Sequence, residues 1–198
     1  MKIRIIRFTW VIGLIFYLSG LAQAHSLKNE EVWSKVYLTK EQALKKTFPA
    51  EDEVVLQKFW LDRNQKKIIA DLTGEPFNKN RIKIYVAKNV GQTSGLAVID
   101  QIIIAAHNPI KIHYMVVFQP EGKIRKVTVL EYLGLQRDEI VSEKFLSQFN
   151  GKNVNSDFQT INSTQGITIP VQALTKGVFK LTSIFHTHLA NLKNKNSY

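Results

Sequence analysis

Ile112-His113-Tyr114-Met115-Val116-Val117-Phe118-Gln119-Pro120-Glu121-Gly122-Lys123-Ile124-Arg125-Lys126-Val127-Thr128-Val129-Leu130 holds two β-rich runs around a turn. Proline at the second turn position fixes φ and Gly122 supplies a positive φ, so the runs fold back as an antiparallel hairpin. On the second run Ile124, Val127, Val129 and Leu130 are mixed with Lys123, Arg125 and Lys126. Alternation is clean only from Val127 onward.

Upstream of the hairpin, β-rich blocks occupy 54–60, 67–72, 81–87 and 96–105, with breaks at Asp62-Arg63-Asn64, Gly74-Glu75-Pro76 and Asn108-Pro109. Ile82, Ile84 and Val86 alternate with Arg81, Lys83 and Tyr85, the period-two signature of a sheet with one buried face. Before these blocks, Thr39-Lys40-Glu41-Gln42 reads as an N-cap with glutamine three residues on. Ala43, Leu44, Thr47 and Phe48 then recur at helical spacing until Pro49.

Downstream, Val171, Leu174, Val178, Leu181 and Phe185 recur at steps of three and four and form one apolar stripe that can dock on the sheet. The residues before it are Ser163-Thr164-Gln165-Gly166-Ile167-Thr168-Ile169-Pro170. By position Thr168 is an ordinary helix N-cap, with Pro170 in the first turn where a missing N–H is tolerated. The same position also sets a hydroxyl where free N–H groups and the helix dipole favour a phosphate. Together these elements predict an α+β fold, an antiparallel sheet with helices packed on one side.

The N-terminus predicts export. Lys2, Arg4 and Arg7 precede an uncharged apolar run over 8–21, which ends in Ala22-Gln23-Ala24 before His25. That is the order of a secretory signal peptide over 1–24, and the run is shorter than the roughly 20 residues of a membrane span. Residues 25–198 are then read as a single domain, periplasmic or attached to the outer face of the inner membrane. Removing the leader takes three cations from a formal charge of +11 and leaves +8, which favours acidic partners or an anionic membrane surface. Lys and Arg are spread along the chain instead of clustering with aromatics, so no nucleic-acid partner is expected. With no cysteine, disulfides, thiolate metal sites and cysteine nucleophiles are excluded. About 174 residues suffice for one sizeable core.

No catalytic constellation emerges. His186 and His188 are two apart on the final helix and point to different faces, and His107 and His113 flank the Asn108-Pro109 break without an acidic triad partner nearby in sequence. No converging metal-ligand set stands out. Ser94-Gly95 and Gly91-Gln92-Thr93 lack a nucleophile-elbow pattern, and Gly74 and Gly91 lack dinucleotide-fingerprint spacing.

Three segments in the second half of the chain, over about 110–190, resemble the FMN-binding domain family. That family includes the peripheral flavin subunits of the Rnf and sodium-pumping NADH:quinone reductase complexes. Glu121-Gly122-Lys123-Ile124-Arg125-Lys126-Val127-Thr128-Val129-Leu130-Glu131 resembles its D/E-G-K-I strand. Residues 140–152 resemble the helix before the flavin-acceptor turn, and Gln165-Gly166-Ile167-Thr168 lies over S-G-A-T. The resemblance implies that Thr168 is the acceptor of an FMN phosphoester, with Gln165, Gly166 and Ile167 in the same turn. It also implies that Gly134 and Leu135 belong to a loop touching the flavin. Gln165, Ile167 and Asn162 depart from the family pattern, as does Glu131-Tyr132-Leu133-Gly134-Leu135, which lacks a proline and one glycine of the usual loop.

The ring of FMN needs apolar walls with a few directed hydrogen bonds, and Tyr132, Leu133, Leu135, Phe145 and Phe158 are candidates near the turn. Redox chemistry would come from the flavin and not from side chains. The expectation is an exported FMN-binding electron carrier without independent substrate turnover, served by a membrane-bound redox partner and a flavin transferase. The rival is an extracytoplasmic binding module of the same fold that has lost flavin; a small flavin reductase is a third reading.

Overall fold

A computed structural model describes residues 34–48, 53–105, 109–134, 137–162 and 168–195. The expected leader with Ala22-Gln23-Ala24 and His25, and also Pro49, His107, Asn108, Leu135, Gln165, Gly166 and Ile167, lie outside the described residues. Among the described residues six strands form one sheet: β1 Ser34–Val36, β2 Glu53–Trp60, β3 Arg81–Asn89, β4 Gln92–Ile104, β5 Ile110–Phe118 and β6 Ile124–Leu133. Their order is β1-β6-β5-β4-β3-β2, every neighbouring pair antiparallel.

The β5–β6 hairpin closes as its turn residues predict. The Gly122 N–H donates to the Gln119 carbonyl at 2.9 Å, the Gln119 N–H donates to the Lys123 carbonyl at 2.8 Å, and Gly122 has φ +94°. Two register shifts explain why alternation on β6 is broken. Phe118 pairs with Ile124 while Val117 pairs with Lys126, and His113 pairs with Glu131 while Tyr114 pairs with Val129. Arg125 and Leu130 are therefore extra residues, or bulges. Each bulge lets side chains three apart, Ile124 with Val127 and Val129 with Tyr132, share one core, and Leu130 turns to the opposite face.

Helix α1, Lys40–Thr47, carries the expected capping box between Thr39 and Gln42. The block 67–72, read as strand, is instead part of α2, Arg63–Thr73. The Asp62 carboxylate accepts from the Gln65 N–H at 2.8 Å and the Gln65 side chain accepts from the Asp62 N–H at 2.9 Å. Gly74 ends the helix in the left-handed region at φ +70°. Local capping overrides the β-branched pair Ile68-Ile69 here, and only Ile69 is fully buried while Ile68 is exposed.

The helix expected over 140–152 is broken into α3 (Arg137–Ile140), α4 (Glu143–Leu146) and a 3-10 turn (Ser147–Phe149). Extended Ser142 starts α4 afresh, its hydroxyl accepting from the Phe145 N–H at 3.3 Å. The last helix, α5, runs Ile169–Lys195.

Side chains of α2, α3, α4 and α5 share one core with Ile82, Ile84 and Val86 and with the even-numbered residues of β5, Ile112 through Phe118. Within it, Val171, Leu174, Val178, Leu181 and Phe185 are all buried, and Phe185 stacks on Phe118 at 4.5 Å. Burying each such side chain contributes about 1.5–3 kcal/mol before entropy is counted. The expectation that all helices lie on one side needs correction. Ala43 and Phe48, at α1, pack with Ala87, Ala97, Met115, Val117 and Leu130 on the opposite face, because the interior strands carry apolar residues at both parities there.

Candidate functional site

The Thr168 carbonyl accepts the first bond of the α5 ladder from the Gln172 N–H at 3.0 Å. The Thr168 hydroxyl is buried and finds no hydrogen-bond partner among the described residues. From Thr168, positions 171, 172, 175, 176 and 179 follow at helical spacing along one side of α5. Val171, Gln172, Thr175, Lys176 and Phe179 at those positions floor a cavity of about 500 Å³. The hydroxyl of Thr175 is also buried without a described partner. At 1.5 Å per residue the two threonines are about 10 Å apart along the axis.

The opposing wall is the segment from Ser156 to Ile161, held in place by its own hydrogen bonds. The Asn153 N–H donates to Ser156 Oγ at 2.9 Å, the Gln159 N–H donates to Asp157 Oδ1 at 2.7 Å, and Lys152 Nζ donates to the Asp157 carbonyl at 2.6 Å. At its end Gln148 grips Asn162 twice: Nε2 donates to the Asn162 carbonyl at 2.6 Å, and Oε1 accepts from the Asn162 N–H at 3.1 Å. These bonds press Phe158 against Phe179 at 5.1 Å, with Lys152 5.7 Å from the Phe158 ring centre. The result is an aromatic-walled cleft whose lining also includes Gln172, Thr175 and Lys176.

The structure sorts the sequence candidates. Phe158 lines the cavity. Tyr132 and Phe145 do not, being fully buried core residues, and Leu133 closes β6 opposite Lys111 and Ser34. Gly134 adopts φ +148° beside the Tyr132 ring. Contacts of α5 with the sheet run from Gly177 beside Tyr114 to Phe185 on Phe118 and Leu189 beside Gly122. Thr175, Gln172 and Phe179 were missed because they lie beside the apolar stripe of α5 and not on it. An aromatic at 179, one step off that stripe, was the available signal.

The histidines take other roles. His186 is exposed, whereas His188 packs edge-on against Phe59 at 4.1 Å and burial lowers its pKa. His113 faces Glu131 across the β5–β6 ladder; burial lowers its pKa despite the opposing pull of Glu131. The Glu131 carboxylate accepts from Ser34 Oγ at 2.6 Å and from Lys111 at 2.9 Å, and these bonds depress its pKa. No family model, curated protein or solved structure matches the chain.

Proposed function

We propose that this protein binds FMN in the α5 cavity and acts as an exported electron carrier between a membrane-bound redox partner and a second acceptor. The observation that carries this reading is the coincidence of Thr168 with the head of a helix face that floors an aromatic-walled cavity. Two buried, unpartnered hydroxyls on that one face support it. A buried polar atom without a partner costs about 1–3 kcal/mol, so such hydroxyls are where a ligand's polar atoms gain most. A volume near 500 Å³ suits a cofactor-sized ligand. The flavin would supply the redox chemistry.

In this reading Phe158 and Phe179 wall the ring, Thr175 hydrogen-bonds its polar edge, and Thr168 holds the phosphate, by an ester where a flavin transferase has acted. Lys176 in the lining adds positive charge near the anionic tail. Gln165, Gly166, Ile167, Gly134 and Leu135 keep the roles that the family resemblance implies.

The test is the absorbance of native protein and the mass of denatured protein after production with and without a flavin transferase. FMN that survives denaturation and disappears in Thr168→Val supports the ester. Reversible binding with unmodified mass removes the ester and leaves the carrier. No flavin in either preparation sinks the proposal, and the flavin-free module that Gln165, Ile167 and Asn162 suggest takes its place.

A further inference from the structure

The exposed large apolar side chains of the strands, Val36, Val54, Leu56, Trp60 and Ile103, all fall on one face. Leu56 pairs with Tyr85, Trp60 with Arg81, Val54 with Ala87, Ile103 with Lys111 and Val36 with Glu131, so each shares the parity of the face opposite α5. The packing of α1 covers the middle of that face through Ala87, Ala97, Met115 and Val117. The β2 edge and the far end of β4 stay open, with Trp60 and Ile103 each 65% exposed.

Cations are interleaved with these residues. Lys58 stands directly opposite Lys83 in the β2–β3 ladder, and Arg81 lies over the Trp60 ring at 5.4 Å. None of the three makes an ion pair with a described residue. Like charges directly opposite on neighbouring strands are unfavourable unless an anion lies over them. A lysine on an edge strand can serve to discourage pairing with another chain, which accounts for Lys58. Lys83 and Arg81, one strand further in, have no such role.

We propose that this open half of the sheet docks on an anionic lipid surface. Trp and exposed aliphatic side chains favour the headgroup boundary, and long cationic side chains lie over apolar surface while their charges reach anionic headgroups. A second copy is a poor occupant, because face-to-face packing would set Lys58, Arg81 and Lys83 against their own counterparts. The flavin reading is not needed for this inference.

The chain has no cysteine, so a single introduced thiol reports one location. Leu56→Cys and Ile103→Cys, and as a control Asn64→Cys on α2, are labelled in the full chain with a polarity-sensitive dye and mixed with vesicles. The vesicles are phosphatidylcholine with or without about one third phosphatidylglycerol, and inorganic phosphate is tested alone. Residues 8–21 are themselves apolar, so the local dye signal, and not bulk sedimentation, is decisive. A blue shift at positions 56 and 103, absent at 64 and dependent on phosphatidylglycerol, is the expected result. Adding Lys58→Gln and Lys83→Gln should weaken that response at least about tenfold. An equal response at all three positions overturns the proposal, as does a shift produced by phosphate alone. A dye that stays unmoved on every vesicle also overturns it and points to an acidic protein partner instead.

Discussion

Gly177 on α5 lies so close to Tyr114 on β5 that a Cβ there would stand 2.6 Å from the Tyr114 oxygen and 2.7 Å from Ile102 Cδ1. The helix can therefore approach the sheet only where its own side chain is missing. Alanine is the better helix former by about 1 kcal/mol, yet Gly177→Ala is expected to destabilise, since overpacking costs about 1–3 kcal/mol. The Tyr114 hydroxyl is buried without a described partner, and burial pushes its pKa well up. Tyr114→Phe should consequently be neutral or stabilising and should soften the Gly177→Ala penalty. Urea titration of the two single variants and the double variant measures this, and an additive result would contradict the contact.

Leu174 is fully buried beneath α5. Leu174→Ala should cost about 2–5 kcal/mol, read as a lower denaturation midpoint. A loss under about 1 kcal/mol would mean that the helix is peripheral and the cavity floor loosely held.

Stability should fall on mild acidification. The native state holds His188 neutral against Phe59, with its pKa depressed by burial, while the unfolded chain takes up the proton near pH 6.5. The unfolded state thus binds more protons between those two values, and stability drops as pH falls through about 6.5, levelling off below the native pKa. His113 acts in the same sense. Denaturation midpoints from pH 5 to 8 should show the slope, and His188→Leu should flatten it; an unchanged slope would assign the effect elsewhere.

If the cavity takes FMN, Thr175→Val should weaken noncovalent binding by about 2- to 10-fold, the worth of one ordinary hydrogen bond. Phe158→Ala should weaken it more, since it removes a wall. Fluorescence quenching of FMN reads both. Equal affinity in all three proteins would place any flavin outside this cavity.

What the sequence made legible is what short range decides. Gln119 to Lys123 encode their own turn, Thr39 with Gln42 their own helix start, and the spacing of Val171 to Phe185 their own buried face. The miss at 67–72 has the same basis, because Asp62 and Gln65 repeat the Thr39–Gln42 pattern and should have outweighed Ile68-Ile69. The bulges at Arg125 and Leu130 were legible only as broken alternation, since a bulge is a property of two strands and one strand cannot display it. The coverage of both sheet faces and the second cavity wall depend on contacts between distant segments. Tyr132 and Phe145 were chosen for their nearness in sequence to Thr168, yet the core claimed them. Phe179, further along α5, faces Phe158 instead.

Strands β2 to β6 neighbour one another in space in the order in which they follow in sequence, so each can zip onto its predecessor at a small cost in loop closure. The exception is β1, which must find β6 across a separation of 97 residues, as between Ser34 and Glu131. Among the described residues three residue pairs join it to β6, and just beyond them the Tyr37 and Leu38 N–H groups donate to the Leu130 carbonyl. In folding, β1 should arrive last. Under a pulling force applied ahead of Ser34, it should also peel away first, leaving the five-stranded meander intact.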